Sequence, residues 1–229
     1  KIDEKMSKPR LTYFDIQGVA EAVRLALVLN KIDFEDNRIK HAEWAELKQT
    51  AKFGQLPLFE REGKPTLAQS GAMLRYAGRL GDGSLYPQDP EKMAQVEEMD
   101  GLVGDMIKAW GPCLYMGMAP HKFGYEEGSQ KTDEGKARVK ALREQFLAND
   151  LPRFMGYFTK QLKDSGGGFL CGDTLTIADL RFVPFIRGFQ RGFMDYVPKD
   201  CLDTFPAITS YLDRVLSVPE ISEWYKTHK

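Results

Sequence analysis

The sequence is poor in cysteine, and the cysteines it has are badly placed for redox or metal chemistry. Cys113, Cys171 and Cys201 lie far apart and form no C-x-x-C pair. Neither a dithiol redox motif nor a zinc knuckle is therefore available. The odd number of cysteines also argues against a disulfide framework and favours a reducing compartment.

The sequence also lacks an excess of charge of one sign and any long apolar run. The 32 Lys and Arg residues are balanced by 33 Asp and Glu residues, which gives a net charge of -1. A nucleic-acid partner is therefore not expected. No apolar run approaches the ~20 residues that cross a bilayer, and the charged residues 1–10 have no apolar core like that of a signal peptide. We expect a cytoplasmic protein that binds neither membrane nor nucleic acid.

Histidine is scarce as well, which limits the chemistry further. His41, His121 and His228 are isolated and show no metal-ligand spacing. No Ser/His/Asp set and no glycine-rich phosphate loop is visible. We therefore expect no metal site.

The hydrophobic fraction of 42% is enough for a real core, and residues 9–83 alternate between strand-like and helix-like segments. Four β-prone segments predict strands at residues 11–14, 32–35, 56–60 and 65–67. A corner at Gly63-Lys64 joins the last two as a hairpin. Helical patterns lie between the strands, at residues 19–27 and 41–50 and after Gln69-Ser70. This order predicts a mixed four-stranded sheet covered by helices.

Apolar spacing predicts the buried face of each helix. The faces predicted for the first part of the chain consist of Val19, Val23, Ala26 and Leu27, and of Met73, Tyr76, Ala77 and Leu80. Turn residues crowd residues 81–87, and the pattern beyond them is helical. Three apolar stripes predict long helices in this second part: Met99, Leu102, Val103, Met106 and Trp110; Leu147, Leu151, Phe154 and Phe158; Ile208, Tyr211, Leu212 and Val215.

A domain boundary is expected near residues 82–90, between an α/β domain at residues 9–83 and an all-α domain at residues 90–229. One helix start in the second domain can be argued in detail. Thr176 and Asp179 have the spacing of a capping box, in which each side chain bonds the other residue's backbone amide. Asp179 is therefore expected to be structural.

Five segments occur in an order and at a spacing found in a known family: YFDIQG at 13–18, WAELK at 44–48, FGQLP at 53–57, LAQS at 67–70 and LCGDTLTIAD at 170–179. Together they resemble the cytosolic glutathione transferases, specifically the tyrosine-type branch nearest the sigma class. The resemblance covers essentially the whole chain after residue 9. It implies a thioredoxin-like glutathione-binding domain followed by an all-helical domain.

The resemblance implies a detoxification enzyme that conjugates the thiolate of glutathione to hydrophobic electrophiles and can also reduce organic hydroperoxides. A free thiol has a pKa of ~8.5, so the site must favour its anion. By resemblance, the hydroxyl of Tyr13 donates a hydrogen bond to the sulfur and stabilises that anion. Glutathione is then a co-substrate, and no metal or redox cofactor is implied.

The resemblance also assigns contacts with the two ends of glutathione. Gln69 and Ser70 open a helix, whose free N–H groups and positive dipole end suit the γ-glutamyl carboxylate. Asp105 would meet the γ-glutamyl ammonium of the partner subunit's glutathione across a homodimer interface.

The middle and the glycyl end of glutathione are assigned to a second group of residues. Pro57 resembles the family's cis-proline, which leaves the backbone of Leu56 free to pair with the cysteinyl unit. Gln55 would contact the peptide backbone. Trp44 and Lys48 are four residues apart and so share a helix face, where an indole N–H and an ammonium suit the glycyl carboxylate.

The electrophile is expected between the two domains, in an apolar pocket formed by the loop after the first strand and residues 106–118. The pocket residues are Ile16, Met106, Trp110 and Tyr115. Such residues at helical spacing are also typical of a plain core, so both readings remain open.

Two departures from the family pattern bear on the reaction. Sigma-type sequences often carry a basic residue at the position of Gln17 and an Arg at the position of Val19, so thiolate stabilisation by a nearby guanidinium is in doubt. Prostaglandin isomerase chemistry becomes less favoured, whereas general conjugation survives the change. A non-catalytic ligand-binding or crystallin-like relative and a glutathione-dependent isomerase remain the alternatives.

Overall fold

The computed structural model describes residues 8–166 and 168–228. Residues 1–7, which are most of the charged N-terminal segment, lie outside the described residues, as do Gly167 of the predicted glycine loop and Lys229. Within the described part, every helix is too short or too polar to span a membrane.

The first part of the chain forms one mixed sheet of four strands: β1 (Arg10–Phe14), β2 (Glu35–Ile39), β3 (Leu58–Arg61) and β4 (Lys64–Ala68). The strands lie in the order β2-β1-β3-β4. β1 runs parallel to β2 and antiparallel to β3, and β3 is antiparallel to β4. The predicted mixed four-stranded sheet is therefore confirmed.

The second strand lies later in the chain than the sequence pattern predicted. Ile32 and Phe34 are half-buried against the core but precede the strand, which begins at Glu35. β2 is an outer strand with the polar sequence EDNRI, and its Asp36 and Arg38 are joined by an ion pair of 2.7 Å. β2 is stabilised by charged partners rather than by a buried apolar face. Its sequence therefore shows no alternation of apolar residues from which a strand could be predicted.

The hairpin corner is also displaced by one residue. Lys64 already pairs with Arg61 in the ladder, so the turn consists of Glu62 and Gly63. Gly63 has φ +63°, a left-handed conformation that glycine adopts without steric cost.

Three helices accompany the sheet: α1 (Glu21–Leu29), α2 (His41–Leu47) and α3 (Ser70–Gly78).

Two residues that the apolar spacing predicted to be buried are exposed in the structure. Val19 is 49% exposed, because it lies in a 3-10 turn that precedes α1 and so does not share its helical face. Tyr76 is 38% exposed, and its ring lies 4.7 Å from the Arg61 guanidinium.

The second part of the described chain is helical: α4 (Pro90–Met118), α5 (Asp133–Gln145), α6 (Leu151–Ser165), α7 (Ile177–Gln190), α8 (Pro206–Leu216) and α9 (Pro219–Thr227). A single π-helical turn at Phe146–Asp150 joins α5 to α6. Leu102 and Leu147 are half-buried, and the other members of the three predicted stripes are buried. The predicted fold, an α/β part followed by an all-α part, is confirmed.

α1 lies at the centre of the molecule, where it contacts α3, α7 and α9. Every residue from 21 to 27 is buried, including the charged Glu21 and Arg24. The buried side chains of the sheet, α1 and the later helices form one continuous core. The 3-10 turn at Gly18–Ala20, in the loop between β1 and α1, contacts both α1 and α7, so both parts of the chain hold this loop.

The predicted capping box at the start of α7 is confirmed. The Asp179 carboxylate has no exposed surface. It accepts hydrogen bonds from the Thr176 N–H at 2.8 Å, the Thr176 hydroxyl at 2.9 Å, the Leu170 N–H at 2.9 Å and the Tyr211 hydroxyl at 2.8 Å. Asp179 thus joins the preceding loop, α7 and α8.

We expect Asp179→Asn to lower the free energy of unfolding by about 3 kcal/mol, because an amide NH2 group would face donors that now share two carboxylate oxygens. Urea unfolding measures this difference. The matched control is Asp173→Asn, in which an exposed carboxylate of the same segment is replaced. Equal stabilities of the two variants would contradict a structural role for Asp179.

Candidate active site

Tyr13 lies near the end of β1, with 9% of its surface exposed. The backbone amide of Val19 lies close enough to its phenol oxygen to lower the pKa of the phenol. Gly18 packs against the same group so closely that an added Cβ would lie 2.7 Å from the hydroxyl oxygen. The residues that follow β1 therefore return over Tyr13 and define the position of its hydroxyl.

The environment of Tyr13 keeps its phenol protonated. Burial raises the pKa of Tyr13 above its usual value, while the Val19 N–H and the Arg24 guanidinium oppose this shift. A phenol with a raised pKa is neutral near pH 7, so it keeps its proton and can donate a hydrogen bond. Such a donor suits an anion that binds next to it.

The pairing of the strands brings three predicted site segments to the same end of the sheet. Thr12 is paired with Leu58, which in turn is paired with Ala68. The residues one step beyond this row are Tyr13, Pro57 and Gln69. Three separated sequence motifs therefore meet at the same end of the sheet, as a shared binding site requires.

The Leu56-Pro57 peptide bond is cis, as the resemblance implied. Pro57 is buried and Leu56 half-buried, and both precede the first paired residue of β3. The amide of Gln69 donates a hydrogen bond of 3.0 Å to the side-chain oxygen of Gln55. The two glutamines predicted to contact glutathione are therefore adjacent.

Gln69 has an unusual backbone conformation, with φ +74°. A non-glycine residue with positive φ is uncommon and is frequently found at functional sites. Gln69 is the residue before α3, and the half-buried Ser70 is the first residue of that helix. The first N–H groups of α3 have no partner within the helix and can bind an anion.

Trp44 and Lys48 lie on the neighbouring helix α2 and its C-terminal end. The backbone N–H of Lys48 donates to the carbonyl of Trp44 at 2.9 Å, so the two residues share one helical turn. The Trp44 ring is half-buried and packs edge-on against Phe14, with 6.2 Å between centroids. Since Phe14 follows Tyr13, this contact connects α2 to the end of β1, and the exposed Lys48 adds a positive charge.

The four residues predicted to line the electrophile pocket fall into two groups. Ile16 is 54% exposed and Tyr115 is 41% exposed, and Tyr115 is close enough to Tyr13 to affect the pKa of its phenol. Met106 has no exposed surface, and the Trp110 ring packs against the rings of Phe146 and Phe189, at 5.0 and 4.8 Å. The apolar stripe of α4 that holds Met106 and Trp110 therefore faces the core.

Asp105 lies on the exposed side of α4, among residues that face solvent in the single chain. This position leaves its carboxylate open to a second molecule. Its contact with a partner subunit's glutathione stays a prediction.

Sequence reasoning missed Arg24, which is completely buried behind the Tyr13 ring, 5.9 Å from its centroid. Its guanidinium forms ion pairs with Glu21 at 3.0 Å and with Asp36 at 2.8 Å. The available signal was a charged pair three residues apart in an otherwise apolar helix. A helix that is apolar on all sides is buried, so any charge within it must be paired.

The other reactive groups of the described chain do not form a rival site. Cys113, Cys171 and Cys201 are free thiols, and burial raises the pKa of each to about 11. They are therefore protonated near pH 7 and poor nucleophiles. Among the described residues, no three His, Cys, Asp or Glu side chains are grouped so that they could hold a metal ion.

Comparison with known proteins agrees with this architecture. Residues 9–79 match the family model of the glutathione S-transferase N-terminal domain, and residues 127–228 match that of the C-terminal domain. Glutathione S-transferase 1 of Ascaris suum is 32% identical over 220 residues, which are 96% of each chain.

Solved structures show the same similarity. A monomeric glutathione S-transferase from the hookworm Necator americanus is 31% identical, with a TM-score of 0.75 over 97% of this chain and 98% of that one. Prostaglandin synthase D of Nilaparvata lugens is 26% identical, with a TM-score of 0.76 over 97% and 99% of the two chains.

The fold and these comparisons thus define an enzyme with an α/β domain followed by a helical domain. The chain belongs to the glutathione S-transferase family and is a glutathione transferase. The predicted family is confirmed, and its assignment to the sigma class stays a prediction.

Gly18 offers a direct test of the packing around Tyr13. We expect Gly18→Ala to lower kcat/KM for conjugation by about tenfold to a hundredfold, because the added methyl group would displace the Tyr13 hydroxyl, which is the predicted hydrogen-bond donor to the thiolate. Steady-state kinetics with glutathione and a chromogenic aryl halide measure the effect.

Gly63→Ala is the matched control for this substitution. Gly63 also has a positive φ, but an added Cβ would have no neighbour within 4 Å. Both variants carry the backbone cost of about 1 kcal/mol, so only Gly18→Ala should lose activity. Equal activities would show that the close contact with Tyr13 is unimportant.

Proposed function

We propose that this glutathione transferase ionises the thiol of glutathione with Tyr13 and directs the thiolate at hydrophobic electrophiles. The observation that carries the proposal is the buried phenol of Tyr13 at the end of β1, where the sheet register places Pro57 and Gln69 in the same row. Each unit by which the thiol pKa falls requires about 1.4 kcal/mol of preferential stabilisation of the anion. One hydrogen bond to a charged sulfur can supply that amount.

The γ-glutamyl and cysteinyl units would bind at this end of the sheet. The carboxylate of the γ-glutamyl unit is received by Ser70 and the first amides of α3, and Gln69 holds it from the side. The backbone of Leu56 pairs with the cysteinyl unit in the manner of a strand, while Gln55 contacts the peptide. This orientation points the thiol at Tyr13.

The glycyl carboxylate would bind at α2. The Lys48 ammonium is exposed and can pair with it, and the Trp44 indole N–H can donate to it. Both residues lie on one turn, so a single carboxylate can reach both.

The electrophile would approach the thiolate beside Ile16 and Tyr115. Both side chains are exposed; Ile16 lies in the loop after β1, and Tyr115 lies on α4, close enough to Tyr13 to affect the pKa of its phenol. An open apolar surface with few polar groups favours varied hydrophobic electrophiles, and organic hydroperoxides can meet the same thiolate. We expect this chemistry to take place in the cytoplasm, where thiols are kept reduced.

A glutathione-dependent isomerase is the second candidate function. The similarity to prostaglandin synthase D of Nilaparvata lugens favours it. An isomerase would share the glutathione contacts and differ only in the substrate that fits beside Ile16 and Tyr115. Product analysis distinguishes the two reactions, because isomerisation regenerates glutathione whereas conjugation consumes it.

Tyr13→Phe tests the proposed role of the phenol. The ultraviolet absorbance of bound thiolate, followed as a function of pH, gives the pKa of the glutathione thiol in each protein. We expect a pKa clearly below ~8.5 in the wild type and a return towards that value in the variant, with kcat reduced in parallel. A wild-type protein that binds glutathione with an unshifted thiol would contradict the proposal and favour a non-catalytic ligand-binding role.

The dimer and the role of Asp105 are tested together. We expect equilibrium sedimentation to give a homodimer, and Asp105→Asn to weaken glutathione binding by about threefold through loss of a charge-assisted contact. Asp133→Asn is the control, since its carboxylate is fully exposed at the start of α5. A monomer, as described for the Necator americanus relative, would exclude a contribution from a partner subunit.

A further inference from the structure

The C-terminal helix α9 is hydrogen-bonded to the charged pair inside α1. The indole N–H of Trp224 donates to one carboxylate oxygen of Glu21 at 2.8 Å. Glu21 is completely buried, and its second oxygen accepts from the Arg24 guanidinium at 3.0 Å. The carboxylate therefore joins two groups that come from opposite ends of the chain.

Arg24 in turn holds the segment that shapes the site. The same guanidinium nitrogen that bonds Glu21 donates to the carbonyl of Ile16 at 2.8 Å and to that of Gln17 at 3.3 Å. Its Nε–H donates to Asp36 of β2 at 2.8 Å. The carbonyls of Ile16 and Gln17 belong to the two residues that immediately precede Gly18 and Val19.

Gly18 packs directly against the Tyr13 hydroxyl, and the neighbouring backbone amide of Val19 lies close enough to affect the pKa of the phenol. A shift of the Ile16 and Gln17 carbonyls would carry them away from the phenol. The contacts therefore form a continuous path from Trp224 through Glu21 and Arg24 to the hydroxyl.

We propose that Trp224, Glu21 and Arg24 are positioning residues for Tyr13, so that ionisation of the glutathione thiol depends on the docking of α9 against α1. This inference rests on the proposed function of Tyr13. None of the three residues needs to touch glutathione, since each acts on the loop after β1.

The physical reason for the coupling is the cost of buried charge. A guanidinium and a carboxylate without contact with water must keep their partners, because loss of one leaves an uncompensated charge. When Trp224 no longer donates to Glu21, the carboxylate is free to reorient, and Arg24 follows it. The hydrogen bond from Tyr13 to sulfur depends steeply on geometry, so a small displacement weakens it.

Trp224 also has packing contacts that a substitution must preserve. Its ring stacks on His228 at 3.6 Å between centroids and lies 6.1 Å from the ring of Phe34. Trp224→Phe keeps an aromatic ring in this position and removes the N–H donor. Tyr225→Phe is the matched control on the same helix, because the Tyr225 hydroxyl makes no hydrogen bond to Glu21 among the described residues.

The experiment measures the thiol pKa of bound glutathione, kcat and the KM for glutathione in the wild type and both variants. We expect Trp224→Phe to raise the thiol pKa by about 0.5 to 1 unit, which is a threefold to tenfold decrease in the ionisation constant of the bound thiol. KM for glutathione should stay within about twofold, because the peptide contacts lie elsewhere. Tyr225→Phe should match the wild type in all three quantities.

A second comparison separates positioning from general stability. In the Tyr13→Phe background, Trp224→Phe should cause no further rise in the thiol pKa, because the group through which it acts is gone. Glu21→Gln cuts the path at a second point with nearly unchanged volume, and it should raise the thiol pKa as Trp224→Phe does.

Two results would overturn the inference while leaving the proposed function intact. One is an unchanged thiol pKa in Trp224→Phe together with a lowered melting temperature, which would mean that the indole N–H only stabilises the fold. The other is an equal rise in thiol pKa with and without Tyr13. A wild-type protein with an unshifted thiol would instead overturn the proposed role of Tyr13 itself.

Discussion

The buried charge of Arg24 is the constraint on which the rest of the structure depends. An ion removed from water costs several kcal/mol unless it is well paired, and this guanidinium has no exposed surface. Its partners come from α1 itself, from β2 and from the loop that follows β1. Pairing the Nε and Nη1 groups of this one side chain therefore sets the relative positions of three elements, and the candidate site at the end of the sheet lies beside them.

The same constraint connects the two parts of the chain. α1 is buried between the sheet and the later helices, so the core of the thioredoxin-like part continues into the helical part. Trp224 adds a polar contact to this apolar interface by reaching Glu21. The position of Tyr13 thus results from long-range packing as much as from the strand that carries it. The geometry of the candidate site is therefore a property of the whole core.

Most of the fold could be predicted from the sequence, because its strands and helices carry clear periodicity and turn residues. The polar strand β2 could not, since its stability comes from ion pairs and backbone pairing rather than from apolar alternation. The burial of Met106 and Trp110 was visible as a stripe, but periodicity cannot tell a core face from a ligand-lined one. Tyr13 was found through its resemblance to a family, whereas Arg24 could only be recognised once its partners in space were known.

The two outer strands of the sheet have a consequence for the behaviour of the protein in concentrated solution. An outer strand leaves backbone groups unpaired and can recruit a strand from another molecule. β2 presents charged side chains along this side, and β4 places Pro65, which has no N–H to donate, near its start. Both outer strands therefore disfavour pairing with a strand of another molecule. The charged residues of β2 that form ion pairs near the site thus also reduce the tendency of the protein to aggregate.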